Sequence, residues 1–244
     1  MSDRRPGLTA IVVVSLASLL LVACSSSAST TTTTKQSQTT TSFQDTTDVD
    51  DNGVTTINEE LLRADLSALP IDTLTEFETS GLLYIAEEEK LARDVYTVLY
   101  DKWQLPIFAN IATSEQTHVD AVSQLLERHQ IDDPTIGEPA GVFTDPDLQK
   151  AYDDLVAKGG ESLEAALQAG AQVEEMDLFD LQQQETNTPD VALVYANLEK
   201  GSRNHLRAFV DQLDRRGFTY VPTFLSEEDY NDIVSSPMER GPSA

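Results

Sequence analysis

The chain has one cysteine, Cys24, so no disulfide can close within it whatever the redox state of its surroundings. Basic residues are scarce, with 16 Lys and Arg against 42 Asp and Glu and a formal net charge of −26. Such a balance disfavours nucleic acid and anionic lipid headgroups as partners and concentrates small cations around the protein. Most of these charges read as an ordinary solvated surface. No stretch alternates apolar and polar residues long enough to mark a half-buried strand, and the expected class is all-α. Histidine is rare as well: His118, His129 and His205 are the only three.

What the chain does have begins with a leader-like N-terminus. Arg4 and Arg5 precede an apolar run from Ala10 to Ala23. That run is shorter than the roughly 20 residues a membrane-spanning helix needs. Its end, Leu21-Val22-Ala23-Cys24, resembles the cleavage box of bacterial lipoproteins. The resemblance implies that residues 1–23 are removed, that Cys24 carries the lipid, and that the protein is anchored to the cell membrane on its extracytoplasmic side. Residues 24–56 are rich in Ser, Thr, Gln and Asp and nearly free of large apolar side chains. They are expected to form a disordered tether, because such a segment cannot bury enough surface to fold. A folded domain is expected over residues 57–244.

Helix signals organise that domain. A short helix is expected between Asn58 and Leu69, stopped by Pro70. Thr75-Glu76-Phe77-Glu78 has the form of a capping box and opens a long helix running to about Trp103. A second runs from Pro106 to about His129. A long connection follows, holding a smaller helix whose cap is Asp145 with Pro146 at the first helical position. A third long helix covers Ser162 to Gln184. A fourth starts at Asn187-Thr188-Pro189 and stops at Gly217, and a final short helix follows Ser226. Four long helices with a long crossover between the second and third suit a four-helix bundle.

Each long helix carries polar residues near the middle of an otherwise apolar stripe. On the first the stripe holds Glu89. On the second, Glu115 and His118 are three residues apart and share a face. On the third it holds Glu174, and on the fourth His205. Isolated buried carboxylates cost several kcal/mol each unless they are paired, protonated or bound to a cation. Three carboxylates and two histidines at one level call for one explanation, and a bound cation is the simplest. Other polar residues invite a plainer reading: Tyr96 and Tyr195 as core residues with partnered hydroxyls, His129 as a solvent-facing helix end, Glu175 and Asp180 as parts of a solvated face.

The segment Glu89-Lys90-Leu91-Ala92-Arg93-Asp94-Val95-Tyr96 resembles the Glu-x-x-Ala-Arg-x-x-Tyr stretch of rubrerythrin first helices. Together with "SEQTH" (Ser114–His118) and "GSRNHLRAF" (Gly201–Phe209), the chain resembles an uncharacterised ferritin-like family of bacteria and archaea over about Thr75 to Ile233. The resemblance implies a ferritin-like four-helix bundle of the di-iron-carboxylate type. It implies metal ligation by Glu89, Glu115, His118, Glu174 and His205, and iron as the metal, di-iron or mono-iron, with manganese as the second choice. It further implies oxygen- or peroxide-dependent iron oxidation. One departure matters: where the pattern places a glutamate three residues before His205, this chain has Ser202, and Asp177, one turn from Glu174, is the first candidate for the missing charge, with Glu88, adjacent to the stripe, the second. The single cysteine rules out a rubredoxin-like electron donor within the chain. Partners are then metal ions and the membrane through the lipid alone, with no nucleic acid and with room for a homodimer. The reading from another functional class is a metal-free ferritin-like surface interaction module.

Overall fold

A computed structural model describes residues 44–242. Cys24 and the leader-like segment lie outside the described residues. Among the described residues there are two short strands and seven helices. The strands are β1 (Thr47–Val49) and β2 (Thr55–Ile57). The helices are α1 (Glu59–Ser67), α2 (Glu76–Trp103), α3 (Pro106–Arg128), α4 (Pro146–Gly159), α5 (Leu163–Gln183), α6 (Pro189–Asp214) and α7 (Glu227–Ser235). The chain is mostly helical, in line with the all-α expectation.

The helix ends follow the local chemistry. Asn58 caps α1 by accepting from Leu61 N, Asp145 caps α4, Ser162 caps α5 and Ser226 caps α7. At α2 the Thr75 side chain accepts from Glu78 N while the Glu78 carboxylate accepts from Thr75 N, satisfying two otherwise orphaned donors. The same Glu78 also accepts from Thr186 Oγ1 and Thr188 Oγ1, which ties the start of α2 to the start of α6. Proline occupies the first turn of α3, α4 and α6, where its missing N–H costs nothing.

The four long helices pack as neighbours α2 with α3, α5 with α6, α2 with α5, and α3 with α6. Their interior is divided. One apolar cluster, including Leu99, Phe108, Leu167 and Phe209, fills one end. A second, including Leu82, Ile85, Val122, Leu125 and Leu198, fills the other. Between them, at the middle of each long helix, lies a layer of buried polar residues. The long connection from α3 to α5 carries α4 and is pinned to α2. Lys90 Nζ, fully buried, donates to Pro139 O (2.9 Å), Val142 O (3.2 Å) and Asp94 Oδ2 (2.8 Å), and Glu87 accepts from Thr144 N and Asp145 N.

Part of the segment expected as a tether over residues 24–56 is folded. Thr47 to Ile57 form an antiparallel hairpin in which Thr47 pairs with Ile57 and Val49 with Thr55. This corrects both the tether's boundary and the expectation that no strand forms. The physical reason is that the hairpin docks rather than folds alone: Thr47, Val49, Thr55 and Ile57 are buried against the helices, and a lone two-stranded hairpin is marginal without such packing. Lys200 of α6 donates to Thr47 Oγ1, Ile57 N donates to Thr117 Oγ1 of α3, and Arg240 donates to Val49 O.

Candidate metal centre

Glu89 on α2, Glu115 and His118 on α3, Glu174 on α5 and His205 on α6 all point into the polar layer, and each is at most 2% exposed. Two groups of donor atoms form there, each with its atoms within 4.8 Å of one another: Glu89, Glu115 and His118 in one, Glu115, Glu174 and His205 in the other. Glu115 belongs to both. Its Oε2 lies 2.8 Å from His118 Nδ1, and its Oε1 lies 2.8 Å from His205 Nδ1. On the outer sides, Glu89 Oε2 is 3.3 Å from His118 Nδ1 and Glu174 Oε2 is 3.6 Å from His205 Nδ1. The two imidazoles stack with centroids 5.5 Å apart.

The contacts are close but poorly directed. His205 Nδ1 and Glu115 Oε1 are out of line for a hydrogen bond, and both remain without a hydrogen-bond partner, as does Glu89 Oε1. Buried polar atoms are nearly always satisfied, so unpartnered atoms gathered at one point mark a place where something else supplies the bond. Imidazole nitrogen with carboxylate oxygen is a donor set suited to iron, manganese or zinc.

The rings are held from behind by one residue of the hairpin, Thr55. His118 Nε2 lies 3.1 Å from Thr55 O, and a carbonyl only accepts, so Nε2 carries the hydrogen and Nδ1 faces the carboxylates. That is the arrangement by which a ligating histidine is oriented through its other nitrogen. His205 Nε2 receives Thr55 N–H at 3.2 Å and lies 3.0 Å from Ser114 Oγ, which itself donates to Thr55 O. Thr55 Oγ1 accepts from Asn204 Nδ2 at 2.9 Å. Nothing in the composition of residues 44–57 signalled this role, because the contacts are made mostly by backbone atoms.

Electrostatics divides the centre. Burial would raise Glu115, but the two histidines flanking it hold its pKa far below the usual carboxylate range. Burial raises Glu89 to about 7 against the pull of His118, and burial with the nearby Glu115 charge raises Glu174 to about 7. Burial disfavours charge on His205, yet Glu115 and Glu174 outweigh it and raise its pKa to about 9. His118 is likewise raised, by Glu115 and Glu89. Tyr96 OH donates to Glu174 Oε1 at 2.5 Å and reaches Gly170 O at 3.1 Å, so this hydroxyl positions a candidate ligand rather than merely packing.

Each residue around His205 has a use. A Cβ on Gly201 would stand 2.4 Å from His118 Cε1, so only glycine admits that ring. Ser202 Oγ is bonded to Leu198 O (2.9 Å) and to Asp177 Oδ2. A hydroxyl has one hydrogen, so both bonds coexist only when Asp177 is protonated, which agrees with a pKa pushed well up by burial and then by the Glu89 charge. Asp177 thus occupies the neighbourhood of the absent glutamate but belongs to neither donor group.

Similarity to known proteins follows the same residues. The family described as "Uncharacterized protein domain (DUF2202)" matches residues 78–237, well over half of the chain. The chain belongs to the DUF2202 family. It is 49% identical over 178 residues to the uncharacterized protein MJ0754 of Methanocaldococcus jannaschii, which covers 72% of this chain and 96% of that relative. The crystal structure of the hypothetical protein MJ0754 aligns with a TM-score of 0.69, covering 70% of this chain and 99% of that one. All five donor residues lie inside the DUF2202 match, whereas Thr55 lies before it.

Three plainer expectations are corrected, the first at Tyr195, whose buried hydroxyl has no hydrogen-bond partner among the described residues. Glu175 is fully buried, accepting from Tyr220 OH, Thr223 N and Leu225 N, and so fastens the segment before α7 onto α5. His129 is turned inward to Asp190 Oδ2 at 3.0 Å, beside Arg128, instead of facing solvent.

Proposed function

We propose that this chain is a ferritin-like metal-binding protein that holds two divalent ions, iron first and manganese second, between its four long helices. Glu89 and His118 would hold one ion, Glu174 and His205 the other, and Glu115 would share a carboxylate oxygen with each. The observation that carries this reading is the doubly shared Glu115, with His205 Nδ1, Glu115 Oε1 and Glu89 Oε1 buried beside it and unpartnered. Charge supports it: three carboxylates offset most of the charge of two divalent ions, and Asp177 is at hand as a fourth. When bound, iron would supply redox chemistry with oxygen or peroxide. The protein's part is to fix the ligands, exclude water by the apolar clusters on both sides, and take up or release protons at Glu89 and Glu174. The lipoprotein-like segment at Cys24 supports placing this chemistry at the extracytoplasmic face of a membrane.

A metal-free interaction module is the competing reading, and Ser202 is what favours it. Metal content decides between them. The protein loaded anaerobically with ferrous iron and freed of excess should retain about two ions per chain, and Glu115→Gln should abolish both because the shared ligand is lost. Retention of no iron, manganese or zinc would sink the metal reading in favour of the module.

A further inference from the structure

Beside the centre stands a second acidic group with no role in holding the five donors. Glu88 on α2 is fully buried, and neither of its carboxylate oxygens has an aligned hydrogen bond. Its charged neighbours are Asp177, Asp180 and Glu89, all of them acidic. Asp177 Oδ1 is likewise buried and unpartnered. Asp180 is half-buried on α5 and accepts from Tyr84 OH at 3.1 Å. Tyr84 in turn lines an open groove with Gly81, Glu87 and Gln184. Of these carboxylates Asp180 is the half-buried one, bonded to Tyr84 beside the groove, Glu89 is a candidate ligand, and Glu88 and Asp177 are fully buried. The nearest lysine on α2, Lys90, is committed to Asp94 and the connection before α4.

A fully buried carboxylate whose strongest charged influences are other carboxylates is costly to keep ionised. A purely structural role predicts a donor such as those that Glu87 and Glu175 receive, and Glu88 receives none. We propose that Asp180, Glu88 and Asp177 are a relay through which a divalent cation passes from the groove beside Tyr84 into the centre. Resting on the two-ion reading above, it assigns Glu88 to the rate of loading and not to the final site. Carboxyl oxygens are the donors a divalent cation takes in a buried site, and a cation arriving at Glu88 or Asp177 takes the place of the proton that burial otherwise holds there.

The test uses cobalt(II), whose visible absorption reports entry into a nitrogen and oxygen donor site. Uptake is followed by stopped-flow mixing of the metal-free protein with cobalt(II) alone, and the bound metal is counted at the end. Glu88→Gln, which keeps the shape of the side chain, is expected to slow uptake by about tenfold or more while the final count equals that of the native protein. Asp180→Asn, at the half-exposed mouth, is expected to slow it less and serves if the buried variant does not fold. Native uptake rates in both variants would overturn the relay, and so would a lower final count in Glu88→Gln, which would make Glu88 a ligand. No cobalt uptake by the native protein would instead overturn the two-ion reading itself.

Discussion

Gly201 shows how narrowly the centre is built. Glycine inside a helix costs roughly 1 kcal/mol relative to alanine, yet here a methyl group would strike the His118 ring. Gly201→Ala should therefore lower stability instead of raising it, by about 1–3 kcal/mol as for other overpacked sites. A thermal melt of the metal-free variant that matched or exceeded the native one would show that the ring moves aside freely. Ser114 makes a different point. For His205 to present the Nδ1 lone pair to a metal, its Nε2 must give up the Thr55 N–H it accepts in this metal-free fold and carry the hydrogen itself, and Ser114 Oγ is the group beside Nε2 able to accept it. Ser114→Ala should weaken the ion at the His205 side by about 10–100-fold, the usual effect of removing a partner that orients a ligand. A metal titration should then resolve one tight and one weak ion where the native protein shows two similar ones. Two unchanged ions would mean that the Ser114 contact is incidental.

At the scale of elements, the helices were legible and the hairpin was not. Thr75, Asp145, Ser162 and Ser226 announce helix starts through side chains that accept from the first turn, and each occupies the expected cap. The five donors were legible too, because Glu89, Glu115, His118, Glu174 and His205 interrupt apolar stripes at helical spacing. The strands of Thr47–Val49 and Thr55–Ile57 are only three residues long, and their buried members include threonines whose hydroxyls are satisfied by Lys200 and Asn204 far along the chain. No local pattern encodes such a contact. The consequence is testable. A chain beginning at Ile57 lacks Thr55, and with it the carbonyl that accepts from His118 Nε2 and turns its Nδ1 toward the carboxylates. It should remain helical by circular dichroism and bind metal about 10–100-fold more weakly than a chain beginning at residue 44. Equal affinity in the two chains would remove the hairpin from the metal centre's support.

Across the whole molecule, protons and metal compete for the same buried layer, and the sign of the competition is fixed by the pKa shifts. In the metal-free fold Glu89 and Glu174 are raised from 4.5 to about 7 and His205 from 6.5 to about 9. The folded state therefore holds protons that the unfolded chain gives up. The stability these groups contribute is complete below their unfolded values and is lost as pH rises through 7 for the carboxyls and through 9 for the histidine. Glu115 works in the opposite direction, since its folded pKa is depressed. Its stabilisation is complete above 4.5 and is lost progressively as pH falls below that value, so it does not change between pH 5.5 and 8.5. Raising the pH across that window should thus loosen the metal-free protein while freeing its ligands for a cation. A metal at a hundredfold excess over its Kd adds about 2.7 kcal/mol, or roughly 5–10 °C in Tm for a domain of this size. Because Kd itself falls as the ligand protons leave, the Tm shift on adding manganese(II) should be small at pH 5.5 and several-fold larger at pH 8.5. Calorimetric melts at the two pH values, with and without the ion, measure it directly. A shift of the same size at both would mean that the ion binds the acidic surface, where carboxylates are already ionised at pH 5.5, and not the buried layer.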